Sequence, residues 1–492
     1  MAGLAPRGRR CSIRRMRSNS LLAAAFLLPA VVIAQRPAPS AADSALVAQL
    51  LRLEDARTAT DDAFERGLRH PDPRVRAIAQ RAAGRIRDPK FAARDSLPPL
   101  PPPPAWPEPA WRLRFRALAA QRSDCATLAA ALQDSAWHVR LRAADLLPAS
   151  CATSDAAVAT LRRWVDELPA DASRRSAGQV SWHAGAHAIV ALARLRPAEA
   201  RARLPQLGAH RDWHVRLYAT RAAAVLGDTA RLRDFARDTS DNVKEAAVDA
   251  LSRLVGHAAD DVYLDVLRAR GAQAVRAAAL ALKGSPRSDV PSTVAAVLAE
   301  WRRTRRNDSE RDARVALLEA AGRSASEEPM PSAAPLSTPD AVALALGRDV
   351  RLRVTMSPAS GGGTFVVRLR GDVAPIMGAR ILSLVRERYY DGLTWHRVEP
   401  DFVIQGGSPD DNEYVGHARY LRDELGTVPH RRGTVGMSTR GHDTGDAQWF
   451  INLKDNLRLG ADYTVFAEVV EGIDVVDGVL EGDRIETIDV VR

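Results

Sequence analysis

The sequence predicts a multidomain protein, in which an N-terminal all-α region of helical repeats precedes a C-terminal domain rich in β-strands. The 492 residues exceed the usual size of one domain. A phrase built on Val followed by Arg or Lys recurs through the first two-thirds of the chain, whereas charged, aromatic and glycine positions alternate between residues 390 and 407. These three observations imply at least two structural units of different class.

Residues 1–34 have the pattern of a cleavable signal peptide. Residues 1–20 contain six arginines and no acidic residue, and an uncharged apolar run follows over residues 21–34. This run is short for a membrane span and contains Pro29, so we expect cleavage near Ala34-Gln35, no stable span afterwards, and a periplasmic or secreted protein. An uncleaved anchor is the alternative. The start (Met1 or Met16) and the export route (general secretory or twin-arginine) stay open.

The charge of the chain argues against nucleic acid as a partner. The formal net charge is +10, and it falls to +4 once the six arginines of the signal peptide are removed. Nucleic-acid binding normally rests on a strongly basic surface, so we expect none here.

Residues 40–322 are predicted to form an α-helical repeat domain. Val215, Val243 and Val275 lie 28 and 32 residues apart, which suits one pair of short helices per repeat. The phrase resembles HEAT or bilin-lyase-type repeats, with an Asp as N-cap and a buried Val opening an apolar face. Its copies lie at residues 72–77, 136–144, 212–219, 241–247 and 272–278.

The resemblance to such repeats implies a curved helical solenoid. A solenoid of this kind offers a surface for protein clients, although a spacer or an oligomerisation scaffold fits the same pattern. Cys125 and Cys151 are permitted to pair in an oxidising compartment, and two buried free thiols are the alternative. His138 and His214 are expected to cap or pack between helices, and no metal site is predicted.

Two further segments separate the structural units. Residues 97–109 are rich in proline and interrupt the helical region, and residues 323–345 form a linker rich in Ser, Ala, Glu and Pro. The last domain is placed at residues 346–492. Within it, the acidic run at residues 410–413 lacks the spacing of a calcium loop and is interpreted as an exposed loop.

Four ordered blocks identify this last domain. Trp395-His396-Arg397 leads into residues 402–407 (FVIQGG), and the blocks GTVGMS, TGDAQWF and YTVF follow at residues 433–438, 444–450 and 463–466. Together they resemble the cyclophilin family of peptidyl-prolyl cis-trans isomerases, over roughly residues 349–492. The resemblance implies a closed β-barrel with flanking helices, in which residues 374–381 begin a helix that plugs the barrel and residues 463–466 belong to the strand that closes it.

The same resemblance implies the site residues. The positions expected to be catalytic are Arg397, Phe402, Gln405, Phe450 and Tyr463. Those expected to bind substrate are His396, Val403, Met437, Ser438, Thr439, Gln448, Arg458 and Leu459. Val403, Ser438-Thr439, Arg458 and Tyr463 depart from the residues common in the family, which leaves the substrate preference open.

The implied function is rotation about X-Pro peptide bonds, assisting the folding of exported proteins. The obstacle is amide resonance, with a barrier of about 18–20 kcal/mol, so no cofactor, metal or nucleophile is required. An always-charged guanidinium, Arg397, can bond the substrate carbonyl and approach the nitrogen as conjugation is lost. A non-catalytic scaffold that binds proline-containing peptides is the alternative. The client proteins and the oligomeric state stay open.

Overall fold

The computed structural model describes residues 40–59, 61–86, 102–168, 181–305, 307–331 and 336–491. The predicted signal peptide and residues 97–101 of the Pro-rich interruption lie outside these ranges. Within them, no helix combines the length and the apolar character that a bilayer crossing requires.

The first three helices share one apolar core with the C-terminal sheet. Leu50, Leu51 and Phe64 are fully buried in that core, although residues 40–322 were predicted as one repeat region. Ser40 caps the first helix through a hydrogen bond from the Asp43 backbone N–H. The helices are α1 (Ala41–Ala56), α2 (Asp61–Leu68) and α3 (Pro73–Ile86).

Buried ion pairs fasten these helices to the C-terminal region. The Arg81 guanidinium donates to Glu54 at 2.9 Å and to the Asp372 carbonyl at 3.1 Å. Arg85 also pairs with Glu54 and donates to the Glu424 carbonyl at 2.8 Å. Burial would raise the pKa of Glu54, but the two arginines outweigh it and lower that pKa to about 2.

A second group of helices, named here the helical array, has a core of its own. Alternate helices α6, α8, α10, α12, α14 and α16 pack in sequence, each on the next, and form a row. The array consists of α4 (Ala110–Ala120), α5 (Cys125–Ala131), α6 (Trp137–Leu146), α7 (Asp155–Asp166), α8 (Trp182–Leu195), α9 (Pro197–Gly208), α10 (Trp213–Val225), α11 (Thr229–Phe235), α12 (Asp241–Val255), α13 (Asp260–Val266), α14 (Ala272–Leu282), α15 (Val290–Thr304) and α16 (Arg311–Ala320).

The recurring phrase marks the start of helices in this row. Val215, Val243 and Val275 are fully buried, because each lies on the face that packs on the neighbouring helix. The Asp212 carboxylate caps α10 by accepting from the His214 backbone N–H at 2.9 Å. Asp241, in contrast, is the first residue of α12 and follows Ser240.

Cys125 and Cys151 are joined by a disulfide, with their Cα atoms 5.4 Å apart. The bond ties the start of α5 to a short 3₁₀ turn at Ala149–Thr153. This resolves the two alternatives that the sequence left open, which depended on a distance across the fold.

Part of the predicted linker is helical and packed. Residues of α17 (Pro339–Ala345) contact the helix that follows in the sheet region, and Ala341 and Leu344 are buried there. Thr338 caps α17 by accepting from the Ala341 backbone N–H at 3.2 Å.

The C-terminal region is a curled antiparallel sheet that packs on one long helix. Eight strands, counted over the described residues, run in the spatial order β3-β4-β6-β5-β7-β2-β1-β8. The helix predicted from residues 374–381 is α18. The elements are β1 (Arg351–Met356), β2 (Thr364–Leu369), α18 (Pro375–Arg386), β3 (Arg397–Glu399), β4 (Val403–Gly406), β5 (Thr434–Met437), β6 (Trp449–Asn452), β7 (Val465–Glu471), α19 (Ile473–Gly478) and β8 (Ile485–Val491).

Hydrogen bonds join the two edges of the curled sheet. The Trp395 backbone N–H donates to the Asp483 carbonyl at 2.8 Å, and the Gly482 N–H donates to the Trp395 carbonyl at 2.9 Å. β3 and β8 are the edge strands of the sheet, and these bonds join the segments that immediately precede them. The expectation that residues 463–466 belong to the closing strand was wrong: β7 lies inside the sheet, because strand order depends on long-range pairing that a local motif does not encode.

The row of the helical array packs on the turn that precedes β8. His138 donates to the Val479 carbonyl at 3.0 Å, and His183 donates to the Glu481 carbonyl at 2.7 Å. On α4, Arg112 is fully buried and donates to the Leu453 carbonyl at 2.7 Å. His138 therefore caps no helix, but its ring stacks on Trp111 of α4 at 4.3 Å between centroids, so it packs between helices as predicted and also bonds the sheet region.

Candidate active site

Strand pairing places four predicted or neighbouring site positions in one row across the sheet. Arg397 on β3 lies opposite Gln405 on β4, Gln405 lies opposite Phe450 on β6, and Phe450 lies opposite Gly436 on β5. Paired residues point to the same face, so the guanidinium, the amide and the aromatic ring converge. Gly436 is required at the end of the row, because a Cβ there would overlap the Phe450 ring.

A chain of amides stands behind Arg397. The Arg397 Nη1 donates to Gln405 Oε1 at 3.3 Å, and the Gln405 Nε2 donates to Gln448 Oε1 at 3.1 Å and to Ser438 Oγ at 2.9 Å. The Gln448 Nε2 in turn donates to the Val415 carbonyl at 2.8 Å. Because each amide both donates and accepts, this chain fixes the orientation of Gln405 and hence of the guanidinium.

An apolar cup lies beside the guanidinium, and we keep that name for the hollow enclosed by Phe402, Val403, Phe450, Leu459 and Tyr463. Its cavity has a volume of about 120 Å³. The Phe450 and Tyr463 rings meet edge to face at 5.6 Å, which holds the wall of the cup. A cavity of this size suits a group as large as one side chain, since drug-sized ligands occupy about 300–1,000 Å³.

His430 supports the cup from behind, and its buried position favours the neutral form of its ring. Its Nε2 donates to the Tyr463 carbonyl at 3.0 Å, and its Nδ1 accepts from the Asn452 amide at 3.1 Å. Burial lowers the pKa of His430, because the surrounding side chains replace water around the charged form. Its ring stacks on Phe450 at 5.7 Å between centroids.

Arg397 also forms an ion pair. Its Nε lies 3.1 Å from Glu413 Oε1, and the guanidinium carbon lies 5.9 Å from the centre of the Phe402 ring. The side chain of Arg397 is 36% exposed, so the guanidinium stands at the rim of the cup and keeps access to solvent. The arrangement presents a fixed cation to any carbonyl that enters the cup.

The loop that carries Glu413 is attached to the helical array. Asn242 on α12 donates to the Asp410 carbonyl at 3.2 Å, and the Arg276 guanidinium lies 4.2 Å from the centre of the Tyr414 ring. Arg440 donates to the Glu413 carbonyl at 2.7 Å. Helices distant in sequence therefore help to position the carboxylate that contacts Arg397.

The structure brings most of the predicted site residues together. The residues that line the cup or its rim are Arg397, Phe402, Val403, Gln405, Ser438, Thr439, Phe450, Leu459 and Tyr463. Gln448 lies one hydrogen bond behind Gln405.

Three predicted substrate-binding residues lie elsewhere. Met437 is fully buried in the main core, and His396 points away from the cup, because neighbouring residues of a strand face opposite sides. Arg458 lies outside the cup, with its guanidinium 5.1 Å from the centre of the Phe402 ring. The family motif aligns positions along the chain, and the side that a residue faces depends on the local pleat.

Two residues of the rim were missed by sequence reasoning, namely Glu413 and Arg440. Glu413 belongs to the acidic run that was interpreted as an exposed loop. That interpretation was wrong for Asn412, which is 6% exposed and accepts from the Tyr414 and Val415 backbone N–H groups at 2.9 Å. Asn412 itself was the sequence signal for an ordered turn here, since Asn side chains accept hydrogen bonds from backbone N–H groups two or three residues later.

No metal site accompanies the cup. Within the described ranges, no group of three or more His, Cys, Asp or Glu side chains is arranged to hold a metal ion.

Comparisons with known proteins agree with this geometry. A family model described as "Cyclophilin type peptidyl-prolyl cis-trans isomerase/CLD" matches residues 353–490. A peptidyl-prolyl cis-trans isomerase of Helicobacter pylori is 34% identical over 130 residues, which are 26% of this chain and 80% of the relative. Peptidyl-prolyl cis-trans isomerase B of Bacillus subtilis is 35% identical over 124 residues, covering 25% of this chain and 87% of the relative.

A solved cyclophilin-type isomerase of Cryptosporidium parvum is 21% identical, with a TM-score of 0.27, over 29% of this chain and 98% of that one. From the family match and the two sequence relatives, the chain belongs to the cyclophilin family of peptidyl-prolyl cis-trans isomerases.

Proposed function

We propose that this isomerase rotates X-Pro peptide bonds of exported polypeptides, with Arg397 as the group that favours the twisted amide. The observation that carries the proposal is the Arg397 guanidinium at the rim of a 120 Å³ apolar cup, oriented by Gln405. The catalyst needs only to hold the proline and to bind the twisted state more tightly than the planar one.

In this mechanism the cup takes the pyrrolidine ring. Its walls are apolar and offer the ring a dry surface, while the guanidinium at the rim reaches the carbonyl that flanks the proline. As the C–N bond twists, the nitrogen gains a lone pair, and a nearby N–H of Arg397 can donate to it. Glu413 at 3.1 Å from Arg397 Nε keeps one edge of the guanidinium occupied, which leaves Nη2 for the substrate.

The other site residues take supporting roles. Gln405 and Gln448 orient the guanidinium, and Ser438 with Thr439 forms the polar rim opposite it. Met437 contributes from the core beneath, and we assign it no direct contact with substrate. We also assign no direct contact to Arg458, whose guanidinium lies 5.1 Å from the centre of the Phe402 ring and outside the cup.

We further propose that the curled sheet is a closed barrel and that residues 40–322 derive from HEAT-like repeats. The bonds between the β3 and β8 edges support the barrel. The row of alternate helices supports a repeat array as a scaffold for protein clients. The predicted domain limits at 322, 345 and 346 change in one respect. Helices α1–α3, predicted in the repeat region, and α17, predicted in the linker, share the apolar core of the sheet and are assigned to the same unit as it.

Export is supported by the disulfide. Disulfides such as the bond between Cys125 and Cys151 persist mainly in oxidising compartments, to which a cleavable signal peptide at residues 1–34 would direct the protein. Mass analysis of the mature N-terminus tests this: a protein beginning near Gln35 with no free thiol is the expected result, and an intact Met1 or Met16 with reduced cysteines contradicts it.

A protease-coupled assay on a short X-Pro peptide tests the activity. The full chain is used, since removal of the helices that share the sheet core would expose apolar surface. We expect Arg397→Ala to lower kcat/KM by about 100-fold, the effect of losing one well-placed donor. Arg388→Ala serves as the matched control, because this arginine follows α18, is 57% exposed and does not line the cup.

The outcome separates the enzyme from the non-catalytic scaffold. Equal acceleration by the wild type and by Arg397→Ala, with unchanged circular dichroism, would remove Arg397 from the mechanism. A wild type that binds the peptide without accelerating exchange would favour the scaffold.

A further inference from the structure

A cleft larger than the cup lies between the helical array and the sheet. Its volume is about 630 Å³. One wall consists of residues from α4, α6, α8, α10, α12 and α14, and the other of β3, the loop at residues 411–414 and the turn at residues 480–481. The row of the array therefore contacts the sheet region at one place and faces it across an open space next to that contact.

The cleft continues the cup. Arg397 and Glu413 line both cavities, so their ion pair stands at the junction. His396, which faces away from the cup, lines the cleft, because it alternates with Arg397 on the strand. A chain whose proline sits in the cup has the cleft as its continuation on one side.

The lining suits a polypeptide better than a single-charge ligand. Arg142 and Arg253 lie in it together with Glu245 and Asp249, so the two signs of charge are mixed. Tyr218 and other aromatic side chains complete the wall. A peptide backbone has both hydrogen-bond donors and acceptors and can pair with both kinds of side chain on this surface. An anion would be repelled by the carboxylates, and a cation by the guanidinium groups.

Several polar atoms of this lining have no partner in the described part of the chain. They are Arg142 Nε, Gln273 Oε1 and both ring nitrogens of His396. Gln273 is 5% exposed and His396 is 8% exposed, and an unpaired polar group at such depth is costly. These atoms are enclosed, so pairing with a ligand requires the side chains to rotate toward the cleft.

We propose that this cleft binds the extended polypeptide segment on one side of the isomerised proline. The helical array then supplies one wall of the substrate site, and the enzyme selects chains with an unfolded stretch beside the X-Pro bond. An extended chain advances about 3.3 Å per residue, so a cavity of this size takes a segment of a few residues. This inference rests on the proposed function of the cup.

Exchange NMR on three peptides tests the inference. The first is a tetrapeptide core with one X-Pro bond, and the others extend that core by six residues before or after the proline. We expect the wild type to show a KM about three- to tenfold lower for one extended peptide than for the core, the gain of one or two hydrogen bonds. The other extension leaves KM unchanged, because only one side of the cup opens into the cleft.

Variants of the array wall assign the gain to the cleft. Arg142→Gln and Gln273→Ala lie on separate helices, so one informative variant remains if the other fails to fold. In each variant, the KM for the extended peptide is expected to rise to nearly the KM for the core peptide. Arg268→Ala, at an arginine 83% exposed outside the cleft, keeps the ratio of the wild type.

Two results would overturn the inference: equal KM values for all three peptides in the wild type, or a ratio that both folded variants retain. A wild type that leaves the core peptide unaccelerated would instead defeat the proposed function of the cup, so the two failures are distinguishable.

Discussion

Replacement of Arg112 by Ala should loosen the attachment of the helical array to the sheet. Arg112 lies on α4 with no exposed surface, and its guanidinium donates to the Pro400 carbonyl at 2.8 Å, the Leu453 carbonyl at 2.7 Å and Asp477 Oδ1 at 2.8 Å. All three acceptors belong to the sheet region. A single side chain therefore bridges two parts of the molecule that are distant in sequence.

The magnitude follows from what remains after the change. Breaking a buried ion pair by removing one partner costs about 3–5 kcal/mol. Asp477 keeps Arg432, whose Nη2 donates to it at 2.6 Å, so the carboxylate is not left unpaired. We therefore expect Arg112→Ala to lower the free energy of unfolding by about 3 kcal/mol, the lower end of that range. The loss comes from the two broken hydrogen bonds to carbonyls and from the cavity that the shorter side chain leaves.

Arg114 provides the matched control on the same helix. Its side chain is 45% exposed and pairs with Asp134, and such surface pairs contribute at most about 1 kcal/mol. Urea unfolding followed by tryptophan fluorescence compares Arg112→Ala, Arg114→Ala and the wild type. Equal losses in the free energy of unfolding for the two variants would refute the buried bridge.

Three further changes test other parts of the fold. Gly436→Ala should lower activity on a short X-Pro peptide about tenfold by overpacking the cup, whereas Gly478→Ala, where an added methyl meets open space, should not; equal activities would contradict the close approach. The folded pKa of Glu54, about 2 against 4.5 unfolded, lies below its unfolded value, so its contribution of about 3 kcal/mol is present above pH 4.5 and is lost as the pH falls from 4.5 to 2. Acid unfolding monitored by circular dichroism should therefore be less steep in Glu54→Gln, and an unchanged profile would argue against the pair. Replacing Cys125 and Cys151 by Ser should lower the free energy of unfolding by about 3.5 kcal/mol, because the unfolded chain is no longer constrained by a cross-link across 26 residues. Urea unfolding measures this change, and no loss would argue against the disulfide.

Local patterns predicted most of the cup. The motif around Arg397 and Gln405 places two side chains on paired strands, and the register of the sheet brings them together as the family resemblance implied. The same patterns failed for Met437 and His396, because one step along a strand moves a side chain to the opposite face. Glu413 was missed because its position depends on a loop attached to distant helices.

The amino-acid sequence alone determined the class of each part: helices from the Val-centred phrase, strands from the alternation near the C-terminus, and the isomerase family from four ordered blocks. These are local properties, since propensity, period and motif need only neighbouring residues. The tertiary structure decided that α1–α3 join the core of the sheet, that Cys125 pairs with Cys151, and that the array faces the sheet across a cleft beside the cup. Each of these depends on contacts between residues far apart in the chain, whose geometry is set by the packing of the whole molecule and not by any segment of it.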